Sequence, residues 1–131
     1  MKNPSANSGK VWLVGAGPGD PELLTLRAAR LVMNARLIVH DGLVAPEILA
    51  MARHDARLVS VAKRRSRHSM PQAEINALLV AEALAGNDVV RLKGGDPFIF
   101  GRGGEEAEAG RAAGVEVEAV PGISAASGAA A

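Results

Sequence analysis

Apolar residues in this chain fall into short unbroken runs that alternate with longer stretches of helical spacing. Val11–Val14, Arg36–His40, Arg57–Val61, Val89–Leu92 and Val115–Val120 read as strands, being short and rich in valine. Pro21 and Glu22 suit a helix start, and Leu23, Leu24, Leu26, Leu31 and Val32 supply the spacing behind it. Pro46 opens a short helix to about Arg53. Ser69 to Gln72 has the form of a capping box, ahead of a helix with Ile75, Leu78, Leu79 and Leu84 on one broad face and Gly86 as its stop. Glu105–Ala113 is a further helix closed by Gly114, and Pro121–Ser124 turns into a last helix that has only begun when the chain ends. Strand and helix in regular alternation predict an α/β fold, a mostly parallel five-stranded sheet with right-handed crossovers and helices on both faces.

Each strand runs into a segment rich in Gly, Asp or Lys: Gly15–Asp20, Asp41–Gly42, Lys63–His68, Gly94–Asp96 and Pro121–Ser124. In open parallel sheets ligands sit beyond the carboxyl ends of the strands, so all five segments share one edge and a site is expected there. The run from Val89 to Glu106 is the most informative of them. A buried-strand pattern ends in two glycines, an acid and a proline, then Phe98 and Phe100, then a second glycine cluster. Glycines let backbone N–H groups approach a ligand closely. Gly15–Asp20 is superficially like a dinucleotide fingerprint, but Asp20 stands where Gly or Ala is needed and Pro18 stiffens the loop. A tight structural turn and a ligand contact fit it equally. Asp41 is either a cap for the segment ahead or a carboxylate general base at the ligand edge. Lys63, Arg64, Arg65, Arg67 and His68 form the dense charge run, which reads either as a solvated loop or as a contact for a polyanionic small molecule.

Composition narrows the class. Fifteen basic against fourteen acidic residues give a formal charge of +1, so no global field points to nucleic acid or a membrane. One Trp and two Phe are too few for a stacking platform. The absence of cysteine excludes disulfides, thiolate ligands and a cysteine nucleophile, and fits a cytoplasmic protein. His40, His54 and His68 lack metal-ligand spacing, so no metal is expected; His54 reads as surface, and Met33 and Met51 as core filler. No apolar run approaches a membrane span and Met1–Lys10 has no apolar targeting core. Residues 1–9 read as a disordered tail and 10–131 as one domain. Ser124–Ala131 has neither cap nor apolar face, as in a chain cut short within a helix.

A series of motifs in order carries a resemblance. Val14–Leu26, Val39–Val44, Lys63–Arg64 with His68–Ser69, Pro71–Gln72 with Glu74–Asn76, the run Val89–Glu106, and Val120–Ala125 together resemble the tetrapyrrole methylase family, over nearly everything from Val11 to Ala131. Within that family the likeness is to its uroporphyrinogen-III branch. The resemblance implies S-adenosylmethionine as methyl donor and uroporphyrinogen III as substrate, methylated at C2 and C7 to precorrin-2 for sirohaem and cobalamin synthesis. It also implies a homodimer in the full-length protein. By motif, Asp41 corresponds to the family's proton acceptor and Lys63 to its proton donor. Pro18, Gly94, Gly95, Asp96, Ile99, Ser124 and Ala125 correspond to donor-binding positions. A substrate with many carboxylates gives Arg64, Arg65, Arg67 and His68 a partner of the right charge. The family does not hold its donor with a dinucleotide fingerprint, in keeping with the mismatch at Asp20.

Three positions depart from the family pattern: His40 where Tyr is common, Gly42 where Arg is common, and Ala62 where Gly usually precedes the lysine. The first two bear on substrate contacts near Asp41. Family members carry a second α/β domain, and donor and substrate bind between the two. The chain resembles the first domain alone and is expected to be inactive by itself. A methylase of a later precorrin, and a non-catalytic nucleotide-binding or dimerisation module, are the rival readings. The segment Lys63 to Ser69 and the run Phe100–Glu106 favour the uroporphyrinogen branch.

Overall fold

A computed structural model describes residues 8–42, 44–61, 70–94 and 103–122. Five strands, β1 (Lys10–Gly15), β2 (Leu37–His40), β3 (Arg57–Ser60), β4 (Val89–Lys93) and β5 (Glu116–Val120), form one sheet in the order β3-β2-β4-β1-β5. Every neighbouring pair is parallel. The helices are α1 (Leu26–Asn34), α2 (Pro46–Leu49), α3 (Gln72–Leu84) and α4 (Gly103–Ala112).

Alternation along the strands divides the core in two. Val11, Leu13, Leu37, Val39 and Val89 face α3 and α4, where Ile75, Leu79, Ala83 and Ala107 meet them. Val14, Ile38, Val90, Leu92 and Val120 face α1 and α2, packing on Ala28, Val32 and Ile48. Each fully buried Val, Leu or Ile contributes ~1.5–3 kcal/mol relative to exposure. The α/β fold with helices on both faces is as the strand–helix alternation predicts.

Several local expectations are corrected. The segment from Pro21 makes only a 3-10 turn, Pro21–Leu23, capped by the Asp20 side chain. Leu24 is extended, and α1 restarts at Leu26 because Thr25 Oγ1 accepts from the Ala28 N–H. That restart turns Leu26 outward, at 77% exposure. The α2 helix ends at Leu49 rather than near Arg53. No capping box opens α3: Gln72 is its first residue, the cap position is Pro71, and no side chain caps it. Proline at the cap has no side-chain oxygen to offer. Leu84 is exposed because it lies half a turn away from Ile75, and Ala83 holds the buried position instead. Met33 is exposed, whereas Met51 packs against the α1–α2 side of the core. Gly86 and Gly114 end their helices with φ of 95° and 79°.

Gly9, expected at the end of the tail, is buried and donates its N–H to the Ala83 carbonyl at 2.7 Å. A Cβ there would lie 2.1 Å from the Asn87 carbonyl oxygen, a backbone atom that cannot swing aside. Gly9→Ala is therefore expected to cost about 3 kcal/mol, read as a lower urea midpoint; an unchanged midpoint would show that this end of the sheet is not held as described.

Candidate active site

The carboxyl ends of β2, β4 and β1 stand side by side. The chain leaves β1 and β2 toward α1 and α2 on one face, and leaves β4 toward α4 on the other. Connections that depart to opposite faces open a crevice beyond the strand ends, here around β4. Two backbone bonds extend the pairing past the strands and set what flanks it. The Ala16 N–H donates to the Lys93 carbonyl at 2.6 Å, and the Asp41 N–H donates to the Leu92 carbonyl at 3.2 Å. Asp41 and the Gly15–Asp20 turn thus border β4 from either side, and Gly94 follows the strand between them.

Within that turn Gly17 and Gly19 adopt positive φ, 69° and 111°, and Pro18 is exposed between them. Asp20 accepts from the Glu22 N–H at 2.9 Å and so starts the 3-10 turn. This explains locally why an acid stands where a dinucleotide loop has a glycine.

Asp41 is not the cap of α2. The cap position of α2 is Ala45, without a side-chain bond. Its carboxylate turns back to the sheet, where Arg91 Nη2 donates to Oδ1 at 2.8 Å. Arg91 lies on β4, on the face toward α3 and α4, and its side chain is 2% exposed. Its Nε donates to Glu106 Oε2 at 3.2 Å. Glu106, on α4, has a side-chain exposure of 0% and also accepts from Lys93 Nζ on Oε1 at 3.3 Å and from Gln72 Nε2 on Oε2 at 3.1 Å. Two cations and two carboxylates thus form one connected cluster, whose Asp41 end alone is substantially wet, at 27% exposure. His40 Nδ1 lies 3.0 Å from the Asp41 carbonyl, and that contact requires the hydrogen on Nδ1.

Sequence reasoning missed this cluster. The available signal was Arg91 and Lys93 two residues apart in an otherwise apolar strand, which places both on one face. Of the expected site residues, Asp41, Pro18 and Gly94 share the one edge. Lys63, Arg64, Arg65, Arg67, His68, Gly95, Asp96, Ile99, Ser124 and Ala125 lie outside the described residues, as do Ser69, Phe98, Phe100 and the chain beyond Gly122. His54 is exposed, as expected. The carboxylates held below their usual range, Glu82 by a hydrogen bond from Asn87 and Asp55 by one from Arg53, lie toward the amino ends of the strands, away from the crevice. Among the described residues no cluster of three His, Cys, Asp or Glu could hold a metal ion, and no helix is long and apolar enough to cross a membrane.

The family model for tetrapyrrole (corrin/porphyrin) methylases matches residues 10–131. A siroheme synthase of Methylococcus capsulatus is 66% identical over 94% of the chain and 26% of its own length. One of Gluconobacter oxydans is 62% identical over 95% and 26%. Among solved structures, a uroporphyrin-III C-methyltransferase from Thermus thermophilus superposes with a TM-score of 0.78 at 52% identity, over 88% of the chain and 48% of the other. The same enzyme complexed with S-adenosylhomocysteine gives 0.77 at 51% identity, over 88% and 49%. A cobalt precorrin-4 methyltransferase gives 0.75 at 28% identity, over 88% and 46%. The chain spans about a quarter of the length of these curated relatives and about half of these solved structures. The chain belongs to the tetrapyrrole (corrin/porphyrin) methylase family.

Proposed function

We propose that this chain supplies one wall of an S-adenosylmethionine-dependent C-methyltransferase site whose substrate is uroporphyrinogen III, methylated at C2 and C7 to precorrin-2. The observation that carries the reading is Asp41, a half-exposed carboxylate at the crevice whose Oδ1 is fixed at 2.8 Å by a buried guanidinium. A fixed, wet carboxylate beside a glycine-ended strand is what a proton acceptor next to a bound ligand requires. The identity to the uroporphyrin-III enzyme, 52% against 28% for the precorrin-4 enzyme, supports this substrate over a later precorrin.

The residues present fit the donor. Gly94 brings no side chain into the crevice at the end of β4, and on its other side the Gly17–Gly19 turn presents Pro18 as its exposed residue. Gly94, Gly95, Asp96, Ile99, Pro18, Ser124 and Ala125 would hold it. When bound, S-adenosylmethionine supplies an electrophilic methyl group, and the methylated ring carbon leaves the macrocycle with a charge that loss of a proton discharges. Asp41 takes that proton. Lys63 corresponds to the family's proton donor; a proton it gives to the macrocycle is offset by a second one lost from it, so each methyl transfer still releases one proton net. Arg64, Arg65, Arg67 and His68 pair with substrate carboxylates, through charge-assisted bonds that a guanidinium forms well.

By the family resemblance donor and substrate are held between two domains, so these 131 residues by themselves are expected to be inactive. Calorimetric titration of the isolated chain with S-adenosylhomocysteine is expected to give no saturable heat, whereas tight binding would overturn the half-site reading. Grafting the chain over the matching segment of the Methylococcus capsulatus siroheme synthase tests the function itself. The folded chimera is expected to methylate uroporphyrinogen III; a folded but inert chimera overturns the assignment.

A further inference from the structure

Nothing in the packing of β4 calls for an arginine at its centre. Taking a guanidinium and its partner carboxylates out of water costs several kcal/mol per ion, and an apolar side chain of similar volume often serves a core at least as well. Yet Arg91 sits on the middle strand at 2% exposure, beside Val39 in the register of β2 with β4. Its guanidinium spans two carboxylates at once, Nη2 to Asp41 and Nε to Glu106. A planar guanidinium fixes the relative position of the groups it bridges, which a lysine cannot do.

We infer that Arg91 is a positioning residue, anchored by Glu106, that holds the Asp41 carboxylate in place for proton transfer; this rests on the reading of Asp41 as proton acceptor. Glu106 is itself fixed from two more sides, by Lys93 on β4 and Gln72 on α3, so Arg91 cannot turn away toward solvent. The bridge thus runs from two helices through the central strand to the crevice, and its wet end is Asp41. A cluster serving the fold alone has no need to end there. Glu106 also shares the guanidinium's charge, so Arg91 does not engage Asp41 as an unshared counter-ion.

Steady-state kinetics of the chimera carrying Arg91→Lys, Asp41→Asn or both separate the possibilities. Arg91→Lys keeps a positive charge and loses the fork. It is expected to lower kcat by about 10–100-fold, the scale of a small misplacement of a reacting group, with KM for uroporphyrinogen III and affinity for S-adenosylhomocysteine unchanged. In the Asp41→Asn background the same change is expected to cost nothing more, because the residue it positions is gone. Arg91→Lys with full kcat, or with an equal loss in both backgrounds, overturns the inference while leaving Asp41 as acceptor. Asp41→Asn with full kcat overturns the reading of Asp41 and the inference with it. Should Arg91→Lys fail to fold, Glu106→Gln carries the same comparison: a kcat loss that vanishes in the Asp41→Asn background supports the bridge, and one that persists overturns it.

Discussion

Asp41→Asn in the chimera is expected to lower kcat by about 10²–10⁴-fold while affinity for S-adenosylhomocysteine stays where it was. Asparagine has the size of aspartate and keeps an oxygen for the Arg91 Nη2 bond now made at 2.8 Å. The amide nitrogen that replaces Oδ2 cannot accept a proton. The cluster is left with one positive charge too many, but at its half-exposed end, where water compensates most of it. The loss is thus expected in the chemical step and not in assembly of the site. Methyl-transfer kinetics beside calorimetry decide it. Parallel loss of turnover and donor affinity would make Asp41 structural.

Glu106→Leu is expected to remove about 3–5 kcal/mol of stability, a large part of the ~5–15 kcal/mol that holds a domain together. The leucine leaves Arg91 Nε and Lys93 Nζ without the carboxylate each now contacts, at side-chain exposures of 2% and 5%. Gln72 Nε2 loses its bond to the same group, though it keeps the one to Asn76. Asp41 remains to balance one cation, at the far side of Arg91 from Lys93. Urea unfolding of the isolated chain measures the effect through its midpoint, with an unchanged slope if the same surface is exposed. A loss under about 1 kcal/mol would mean that water reaches the cluster as it does surface pairs.

The fold was legible because period decides it. Runs such as Val11–Val14 and Val89–Leu92 are buried on both faces, and between them the polar positions recur as helices require. The edge that bears the site followed from direction alone, since every loop after a parallel strand leaves at the same end. What was not legible depended on neighbours distant in sequence. Arg91 meets Asp41 because β4 lies against β2, a pairing between residues about fifty positions apart that no local pattern encodes. Helix starts failed for a more local reason. At Thr25 a hydroxyl outcompeted the proline four residues earlier, and at Pro71 a ring took the place expected for a serine cap. Leu84 shows the cost of counting apolar residues without their angle, since the smaller Ala83 is the one turned inward.

The strand order has a consequence for how this chain is made. β1 pairs only with β4 and β5, and β2 finds its second partner in β4. A nascent chain emerging from the ribosome therefore carries β1 with both edges bare until residues 89–93 appear. Contacts of such long sequence separation form slowly, and bare strand edges are where growing chains associate wrongly. The interval between Gly15 and Val89 is the window in which β1 is open to mispairing, and the segment that closes it is the one carrying Arg91 and Lys93.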